Sequence, residues 1–279
     1  MNIFTAILLG AVQGLTEFLP VSSSGHLVLL QKIFRIVEPA LFFDTMLHAG
    51  TLTAVIAVLR REIWTILQRI FQPLTAYLII GTIPAVIFAL AFKKNIETAF
   101  ESGKFLGFAF LLTAVLLSAA ELLSRRARAK GAGLKKPGEM NWLDALIIGI
   151  LQAIAVIPGV SRSGATLSGA VSRKLDRDFA ARFSFLLSIP AILGALALQV
   201  KDLAGAKGAE AAQQAASGIG AGAVIAGTLT AAVVGFFAVR LMLKIVREKS
   251  LWGFAVYTGA LGVIVLLDQY LIHWAEWGF

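Results

Sequence analysis

The chain has 279 residues, of which 58% are hydrophobic and 15% are charged, against roughly 45–50% and about 25% in soluble globular proteins. This composition excludes a soluble globular domain and a disordered chain, and the absence of cysteine excludes disulfide frameworks, thiolate metal sites and cysteine nucleophiles. The formal net charge of +9 does not indicate nucleic-acid binding, because so few charged residues leave no surface to cover a phosphate backbone.

The first predicted element is a helical hairpin over residues 1–36. Residues 1–16 are apolar, and after Glu17 the segment FLPVSSSGH (18–26) interrupts the pattern before a second apolar stretch at 27–34. Such a break leaves backbone N–H and C=O groups that lipid cannot satisfy, so it survives at membrane depth only beside protein or a water-filled cavity. We therefore expect a re-entrant hairpin rather than a membrane span.

Three transmembrane helices are predicted next, at 40–59, 74–92 and 105–120, each long enough with its flanks to approach the required length of about 20 residues. The first of them contains ionisable side chains, Asp44 and His48, which are four residues apart and share a helical face. We expect this pair to support a polar site from behind, with metal ligation as the alternative.

The second half of the chain repeats this order of elements. A second helical hairpin is predicted at 142–172, broken by PGVSRSGAT (158–166), and three further spans follow it. These spans are 183–200, 219–239 and 251–267. A shift of the sequence by 139 residues superposes six identical pairs: Gly10/Gly149, Gln13/Gln152, Val21/Val160, Ser22/Ser161, Ser24/Ser163 and Gly25/Gly164.

Three spans per repeat is an odd number, so the second copy is inverted relative to the first. The predicted fold class is an all-α integral membrane protein with an inverted-topology repeat. Each half, 1–139 and 140–279, consists of a re-entrant helical hairpin plus three transmembrane helices. Repeats of this kind bring their broken helices together near the bilayer midplane.

The distribution of Lys and Arg predicts the orientation of the chain. Loops on one side of the predicted spans carry 16 of these residues and loops on the other side carry 7. The positive-inside rule places the first set in the cytoplasm and both termini outside. Most of the positive charge is then explained as cytoplasmic anchoring.

The two breaks carry the polar side chains from which a site is predicted. An arginine at membrane depth, here Arg162, costs on the order of 3 kcal/mol and is expected to be functional. Its planar fork suits a phosphate or a carboxylate, and glycine–serine turns before a helix add inward-pointing N–H groups and a positive dipole. We predict an anion site, with a purely structural Arg162–Glu17 ion pair as the alternative.

A cation site and a nucleophile are predicted from the first break. Gln13 and Glu17 share a helical face, and a carboxylate beside a phosphate is repelled unless a cation lies between them. Both are therefore candidate ligands of a divalent cation, with interhelical hydrogen bonding as the alternative. His26 with the adjacent serines forms a candidate nucleophile and base pair, whose alternative is a satisfied buried histidine.

Together these residues resemble the bacterial undecaprenyl-pyrophosphate phosphatases of the BacA type, over essentially the whole chain. QGLTEFLPVSSSGH (13–26) is similar to the family's first motif, (E/Q)xxxE with the following serine–glycine–histidine stretch, and PGVSRSGAT (158–166) to its second. The acidic first position of the family is Gln13 here, which leaves Glu17 as the one carboxylate of that pair.

The resemblance implies a multi-pass enzyme of the bacterial inner membrane with a site open to the periplasmic side. It implies removal of the terminal phosphate from C55 prenyl pyrophosphate, which gives the monophosphate carrier for cell-wall synthesis, together with bacitracin resistance. It also implies dependence on a divalent cation, Mg²⁺ or Ca²⁺. The expected partners are the prenyl pyrophosphate and membrane lipids, without nucleic acid.

The resemblance further implies catalytic roles for Glu17, Ser23, His26 and Arg162. Predicted substrate-binding residues from the same two turns are Gln13, Ser22, Ser24, Gly25, Ser161, Ser163, Gly164 and Thr166. The sequence leaves open whether Ser23 or a water attacks the phosphorus, and whether His26 or Glu17 takes the proton.

A different functional class shares the predicted architecture. Inverted repeats with broken helices are typical of secondary transporters, so a polyprenyl-phosphate flippase is the alternative function. A purely structural membrane scaffold is disfavoured by the cost of Arg162. Small residues at 220–235 allow close helix packing, either within one chain or in a homodimer.

Overall fold

The structure is a computed structural model that describes residues 1–34, 40–129, 131, 133–203 and 220–275. Within these residues it contains twelve α-helices and no strand, so the predicted all-α class is confirmed. In chain order the helices are α1 (Ile3–Phe18), α2 (Ser23–Ile33), α3 (Ala40–Val58), α4 (Arg60–Gln68), α5 (Pro73–Ala91), α6 (Lys93–Ser102), α7 (Leu106–Ala129), α8 (Trp142–Ile154), α9 (Arg162–Ser172), α10 (Arg177–Leu203), α11 (Ala221–Glu248) and α12 (Trp252–Leu267).

Five of the described helices, namely α5, α7, α10, α11 and α12, are long and apolar enough to cross a membrane. A sixth candidate is the pair α3 and α4, which meet at an angle of 77°. Only 11% of the most apolar window of α5 is buried inside the protein, and such exposed apolar surface is suited to lipid. The six predicted spans thus correspond to helices, and the chain is a multi-pass membrane protein.

The helices extend beyond the predicted spans at their charged ends. The window 105–120 continues as a helix to Ala129, and the window 219–239 continues to Glu248. The predicted spans stop at Arg, Lys and Glu because these residues are not apolar. However, these residues are good helix formers, so the helices continue past the apolar stretch into water. The short helix α4 lies between the first two predicted spans for the same reason. The end of the first predicted hairpin, 35–36, and the start of a span at 219 lie outside the described residues.

Both predicted hairpins contain two helices separated by a short break, as expected. The first consists of α1 and α2 with a break at 19–22, and the second of α8 and α9 with a break at 155–161. The isolated parallel bridge between Lys135 and Leu175 and the buried Asp144, which binds Lys135 and Arg173, fix the base of the second hairpin. The position of the second break is thereby tied to surrounding elements.

Glycines bring each hairpin into direct backbone contact with a long helix of the other half of the chain. A Cβ atom on Gly10 of α1 would lie 2.3 Å from the carbonyl oxygen of Gly227 in α11. A Cβ atom on Gly149 of α8 would lie 2.7 Å from the carbonyl oxygen of Gly81 in α5. No side chain fits at either distance, so glycine is required for this packing.

Candidate active site

A cavity of about 180 Å³ lies where the two helix breaks meet α3 and α10. Its lining combines a carboxylate, an arginine, a histidine and serine hydroxyls with small apolar side chains. The lining residues are Glu17, Ser22, Ser23, Ser24, His48, Ala155, Val160, Ser161, Arg162, Ala191, Ile192 and Ala195. The structure therefore brings together the polar residues of two breaks that lie about half a chain apart in sequence.

The first break places Ser23 at the start of α2. Ser22 is the N-cap, with a positive φ of 70°, and its hydroxyl accepts a hydrogen bond from the backbone N–H of Gly25 at 3.1 Å. A Cβ atom on Gly25 would lie 2.7 Å from the ring of Phe110, so this turn needs glycine. The cap turns the chain sharply and leaves the Ser23 hydroxyl facing Glu17.

Glu17 is the residue on which the hydrogen bonds of the site converge. Its side chain is buried, and its Oε2 accepts hydrogen bonds from Gln13 Nε2 at 3.0 Å and from Ser23 Oγ at 2.5 Å. Its Oε1 accepts a hydrogen bond from Nη2 of Arg162. A buried carboxylate needs such partners to remain ionised. The Arg162–Glu17 pair that the sequence suggested is therefore present.

The second break places Arg162 at the start of α9, again directly after a serine N-cap. Ser161 is the N-cap and accepts a hydrogen bond from the backbone N–H of Gly164 at 3.0 Å. Since Ser22, Ser23, Ser161 and Arg162 all line the cavity, the N-termini of α2 and α9 both lie at it. Two helix N-termini contribute positive partial charge, which favours an anion.

Two hydrogen bonds join the breaks directly to each other. The backbone N–H of Gly159 donates to Ser24 Oγ at 3.4 Å, and Ser163 Oγ donates to the carbonyl oxygen of Leu19 at 2.8 Å. Ser24 lines the cavity, whereas Ser163 does not. Ser163 thus contributes to the alignment of the two breaks rather than to the cavity surface.

Several predicted substrate-binding residues support the cavity without lining it. Gln13 is fully buried behind Glu17, and Gly25 and Gly164 are engaged in the two N-caps. The Thr166 hydroxyl lies 2.5 Å from Ser184 Oγ and 2.9 Å from the carbonyl oxygen of Arg162. These contacts hold α9 against α10 and fix the first turn that carries Arg162.

His26, a predicted catalytic residue, does not line the cavity. Its Nδ1 lies 2.7 Å from the carbonyl oxygen of Ser22, which can only accept, so Nδ1 donates. In the neutral ring Nε2 then accepts from the Tyr257 hydroxyl at 2.7 Å. The ring lies parallel to that of Tyr257 and edge-on to that of Phe110. Sequence reasoning missed Tyr257, because it lies in an apolar span with no polar pattern around it.

His48, which was expected to support the site from behind, lies at the cavity itself. It lines the cavity, and its Nε2 lies 3.8 Å from Glu17 Oε2. Its Nδ1 lies 2.8 Å from the backbone carbonyl oxygen of Asp44. Of the pair expected behind the site, Asp44 does not line the cavity and supports the ring through its backbone, while His48 belongs to the cavity surface itself.

The chain is similar over nearly its whole length to a known family. The family model described as "Bacitracin resistance protein BacA" matches residues 6–264. An "Undecaprenyl-diphosphatase" from Carboxydothermus hydrogenoformans is 45% identical over 271 residues, which cover 96% of this chain and 98% of that protein.

Two further relatives also align with nearly the whole chain. An "Undecaprenyl-diphosphatase 4" from Bacillus thuringiensis subsp. konkukian is 43% identical over 270 residues, covering 97% of this chain and 98% of that protein. An "Undecaprenyl-diphosphatase" from Methanosphaera stadtmanae is 37% identical over 289 residues, covering 96% and 98%. The matched region includes both breaks and every residue that lines the cavity.

Proposed function

The chain belongs to the BacA family of bacitracin resistance proteins, and from this membership and the geometry of the cavity we propose that it is an undecaprenyl-diphosphatase. The reaction is hydrolysis of the terminal phosphate of C55 prenyl pyrophosphate, which leaves the monophosphate lipid carrier for cell-wall synthesis. The observation that carries the proposal is the contact of Ser23, Glu17 and Arg162 at a cavity formed by two helix N-termini.

The diphosphate binds in the cavity through positive charge and N–H groups. Arg162 lines the cavity, and its Nη2 donates a hydrogen bond to Glu17. This contact fixes the orientation of the guanidinium group at the cavity. The helices α2 and α9, one after each break, add the positive partial charge of their N-termini. These groups stabilise the charge that develops on the transferred phosphoryl group, which is the main source of catalysis in phosphoryl transfer.

Ser23 attacks the terminal phosphorus, or positions the water that does so, and Glu17 receives the proton. The 2.5 Å separation of Ser23 Oγ and Glu17 Oε2 is the arrangement of a nucleophile with its base. Attack by serine breaks the bond from phosphorus to the bridging oxygen, and prenyl monophosphate leaves. Water then cleaves the phosphoserine, so inorganic phosphate is released and Ser23 regains its proton.

Glu17 is the better-placed proton acceptor of the two candidates. It contacts the Ser23 hydroxyl directly, whereas both ring nitrogens of His26 are engaged by Ser22 and Tyr257. We infer that His26 holds the first break in place through the Ser22 carbonyl group. A direct catalytic role for His26 stays a prediction from the family resemblance.

Dependence on Mg²⁺ or Ca²⁺ also stays a prediction. The described residues contain no group of three His, Asp or Glu side chains that could hold a cation. Both oxygens of Glu17 already accept hydrogen bonds, and Gln13 directs its amide nitrogen, not its oxygen, at this carboxylate. This donor set does not fit a cation held by Gln13 and Glu17, and no step of the reaction is routed through one.

The inverted repeat, 1–139 and 140–279, is part of the proposal. It is supported by the equivalent glycine contacts of α1 and α8, and by the equivalent serine caps at Ser22 and Ser161. The charge distribution of the loops supports the proposal that both termini lie on the periplasmic side of the membrane. The family resemblance supports the proposal that this is the bacterial inner membrane and that the cavity opens to the same side. A homodimer through the small residues of α11 stays a prediction. The names of the relatives favour the hydrolase over the flippase.

The test is phosphate release from C55 prenyl pyrophosphate by the protein purified in detergent, compared with Ser23→Ala. We expect Ser23→Ala to lose most of the turnover but to bind the substrate, because Arg162 and the helix N-termini remain. Ser172→Ala is the matched control, since its hydroxyl donates to the Gly169 carbonyl group at the far end of α9. Absence of phosphate release by the unaltered protein would refute the function.

The same series identifies the attacking serine. If Ser23→Ala keeps its turnover while Ser22→Ala or Ser24→Ala does not, a different hydroxyl is the nucleophile. If all three retain turnover, water attacks without help from a serine.

A further inference from the structure

His48 lines the cavity but has no part in the reaction as described so far. It is contributed by α3, a helix that belongs to neither break, and its side chain is 32% exposed beside a Glu17 side chain that is 5% exposed. Its Nε2 lies 3.8 Å from Glu17 Oε2, which is too far for a hydrogen bond. This ring nitrogen is therefore open to whatever fills the cavity.

The other ring nitrogen fixes the orientation of His48. The Asp44 carbonyl oxygen, 2.8 Å from Nδ1, can only accept a hydrogen bond, so Nδ1 is the donor. The ring is thus held to its own helix by Nδ1 and directs Nε2 at the cavity. A merely structural histidine in lipid would bury both nitrogens against partners.

The position of Nε2 relates His48 to the phosphate that is attacked. Ser23 Oγ and His48 Nε2 lie 2.5 Å and 3.8 Å from the same oxygen of Glu17, while Arg162 holds the other oxygen. A phosphoryl group attacked by Ser23 in this cavity would lie near the same carboxylate, and therefore near Arg162 and His48.

We propose that His48 binds the terminal phosphate of the substrate through Nε2. This inference rests on the proposed function and adds a residue from outside both sequence motifs. A phosphate oxygen accepts from Nε2 when the nitrogen carries a proton, and a P–OH group donates to it when it does not. One hydrogen bond forms in either case.

Two substitutions test the roles of the two ring nitrogens one at a time. The amide nitrogen of His48→Gln reaches approximately the position of Nε2, and that of His48→Asn approximately the position of Nδ1. We expect His48→Asn to weaken inhibition by inorganic phosphate and to lower kcat/KM, each by about 10- to 100-fold, as for loss of a hydrogen bond to a charged group. His48→Gln retains most of both. Inhibition by a prenyl alcohol, which has no phosphate, is unchanged in either variant.

The matched control is His273→Asn, at an exposed histidine that does not line the cavity. Equal phosphate inhibition in His48→Asn and His273→Asn would overturn the proposal. The proposal would also be overturned if His48→Gln lost its inhibition by inorganic phosphate and His48→Asn retained it. In that case the contact of Nδ1 with Asp44 would matter, and Nε2 would not. If the unaltered protein releases no phosphate, the proposed function fails, and inorganic phosphate binding by the same variants still tests His48.

A measurement on the unaltered protein does not depend on how the variants fold. The chain has three histidines, so nitrogen NMR of histidine-labelled protein gives few resonances. We expect saturation with inorganic phosphate to shift the Nε2 resonance of His48 and to leave that of His273 in place. An unshifted His48 resonance would contradict the proposal.

Discussion

Glu17 shows at the scale of single residues how the site is assembled. One buried carboxylate accepts hydrogen bonds from Gln13, Ser23 and Arg162, so it aligns Ser23 of one break with Arg162 of the other. The same contact stabilises the fold, because a buried carboxylate without partners is costly. The proposed catalytic role of Arg162 and its structural role therefore involve the same contact, and an experiment on both residues separates them.

Replacement of Arg162 tests which role dominates. We expect Arg162→Ala to fold and to lose about 10²–10³ in turnover, the typical cost of removing one fixed group from a developing anion. Arg162→Lys keeps the charge but not the planar fork, so it recovers only part of the loss. Phosphate release and thermal unfolding in detergent measure the two effects separately. Arg247→Ala is the control, since this side chain is 64% exposed and pairs with Glu248 rather than with a residue of the cavity.

The double variant decides between the two interpretations. If Arg162 serves only to neutralise Glu17, Arg162→Ala leaves the Glu17 carboxylate buried without a partner. The free energy of unfolding then falls by several kcal/mol. Glu17→Gln then restores the stability of Arg162→Ala. A folded, inactive Arg162→Ala variant that gains nothing from Glu17→Gln supports catalysis instead.

At the scale of elements, the position of each break depends on close packing of its first helix. The carbonyl oxygen of Gly81 in α5 touches α8 at Gly149, five residues before the helix ends. In the first hairpin Gly10 makes the equivalent contact with Gly227. Because the breaks follow directly after these helices, their depth in the protein is set by glycine contacts that carry no chemistry of their own.

Gly149→Ala tests this dependence. The new Cβ would lie 2.7 Å from the Gly81 carbonyl oxygen, so α8 must move, and we expect a loss of about 1–3 kcal/mol in stability with reduced turnover, since Arg162 is displaced. Gly194→Ala in α10 is the matched control, because nothing lies within 4 Å of its added Cβ. Alanine is the better helix former, so this control is expected to be at least as stable as the original protein. Equal behaviour of the two variants would refute the dependence.

At the scale of the whole molecule, the cavity is lined by residues from both halves of the chain, which we propose to have opposite orientations. Each half contributes one hairpin and one long helix that packs on the other half's hairpin, as in the contacts of α1 with α11 and α8 with α5. Neither half contains both Glu17 and Arg162, so a cavity with both exists only when the halves are together.

The predicted orientation is testable by labelling, because the chain has no native cysteine. Asn95→Cys in α6 and Gly133→Cys in the loop before α8 are both at exposed positions. We expect a membrane-impermeant thiol reagent added outside intact cells to label Asn95→Cys and not Gly133→Cys. After permeabilisation both are labelled, which shows that both are reactive. The reverse pattern, or labelling of both in intact cells, would contradict the inverted topology.

The sequence alone predicts the helical class, apolar helices at the six expected spans and the two breaks. It offers the pairing of Arg162 with Glu17 as the alternative to an anion site. Apolar length and Pro/Gly/Ser interruptions are local properties, and a charge buried in lipid needs a partner wherever it lies. Only the tertiary structure decided which histidine faces the cavity. His26 and His48 both lie near serine or acidic neighbours in sequence, but the packing of α2 against Phe110 and Tyr257 turns His26 away, and the packing of α3 brings His48 to Glu17. Side-chain direction depends on contacts between helices distant in sequence, which no local pattern encodes.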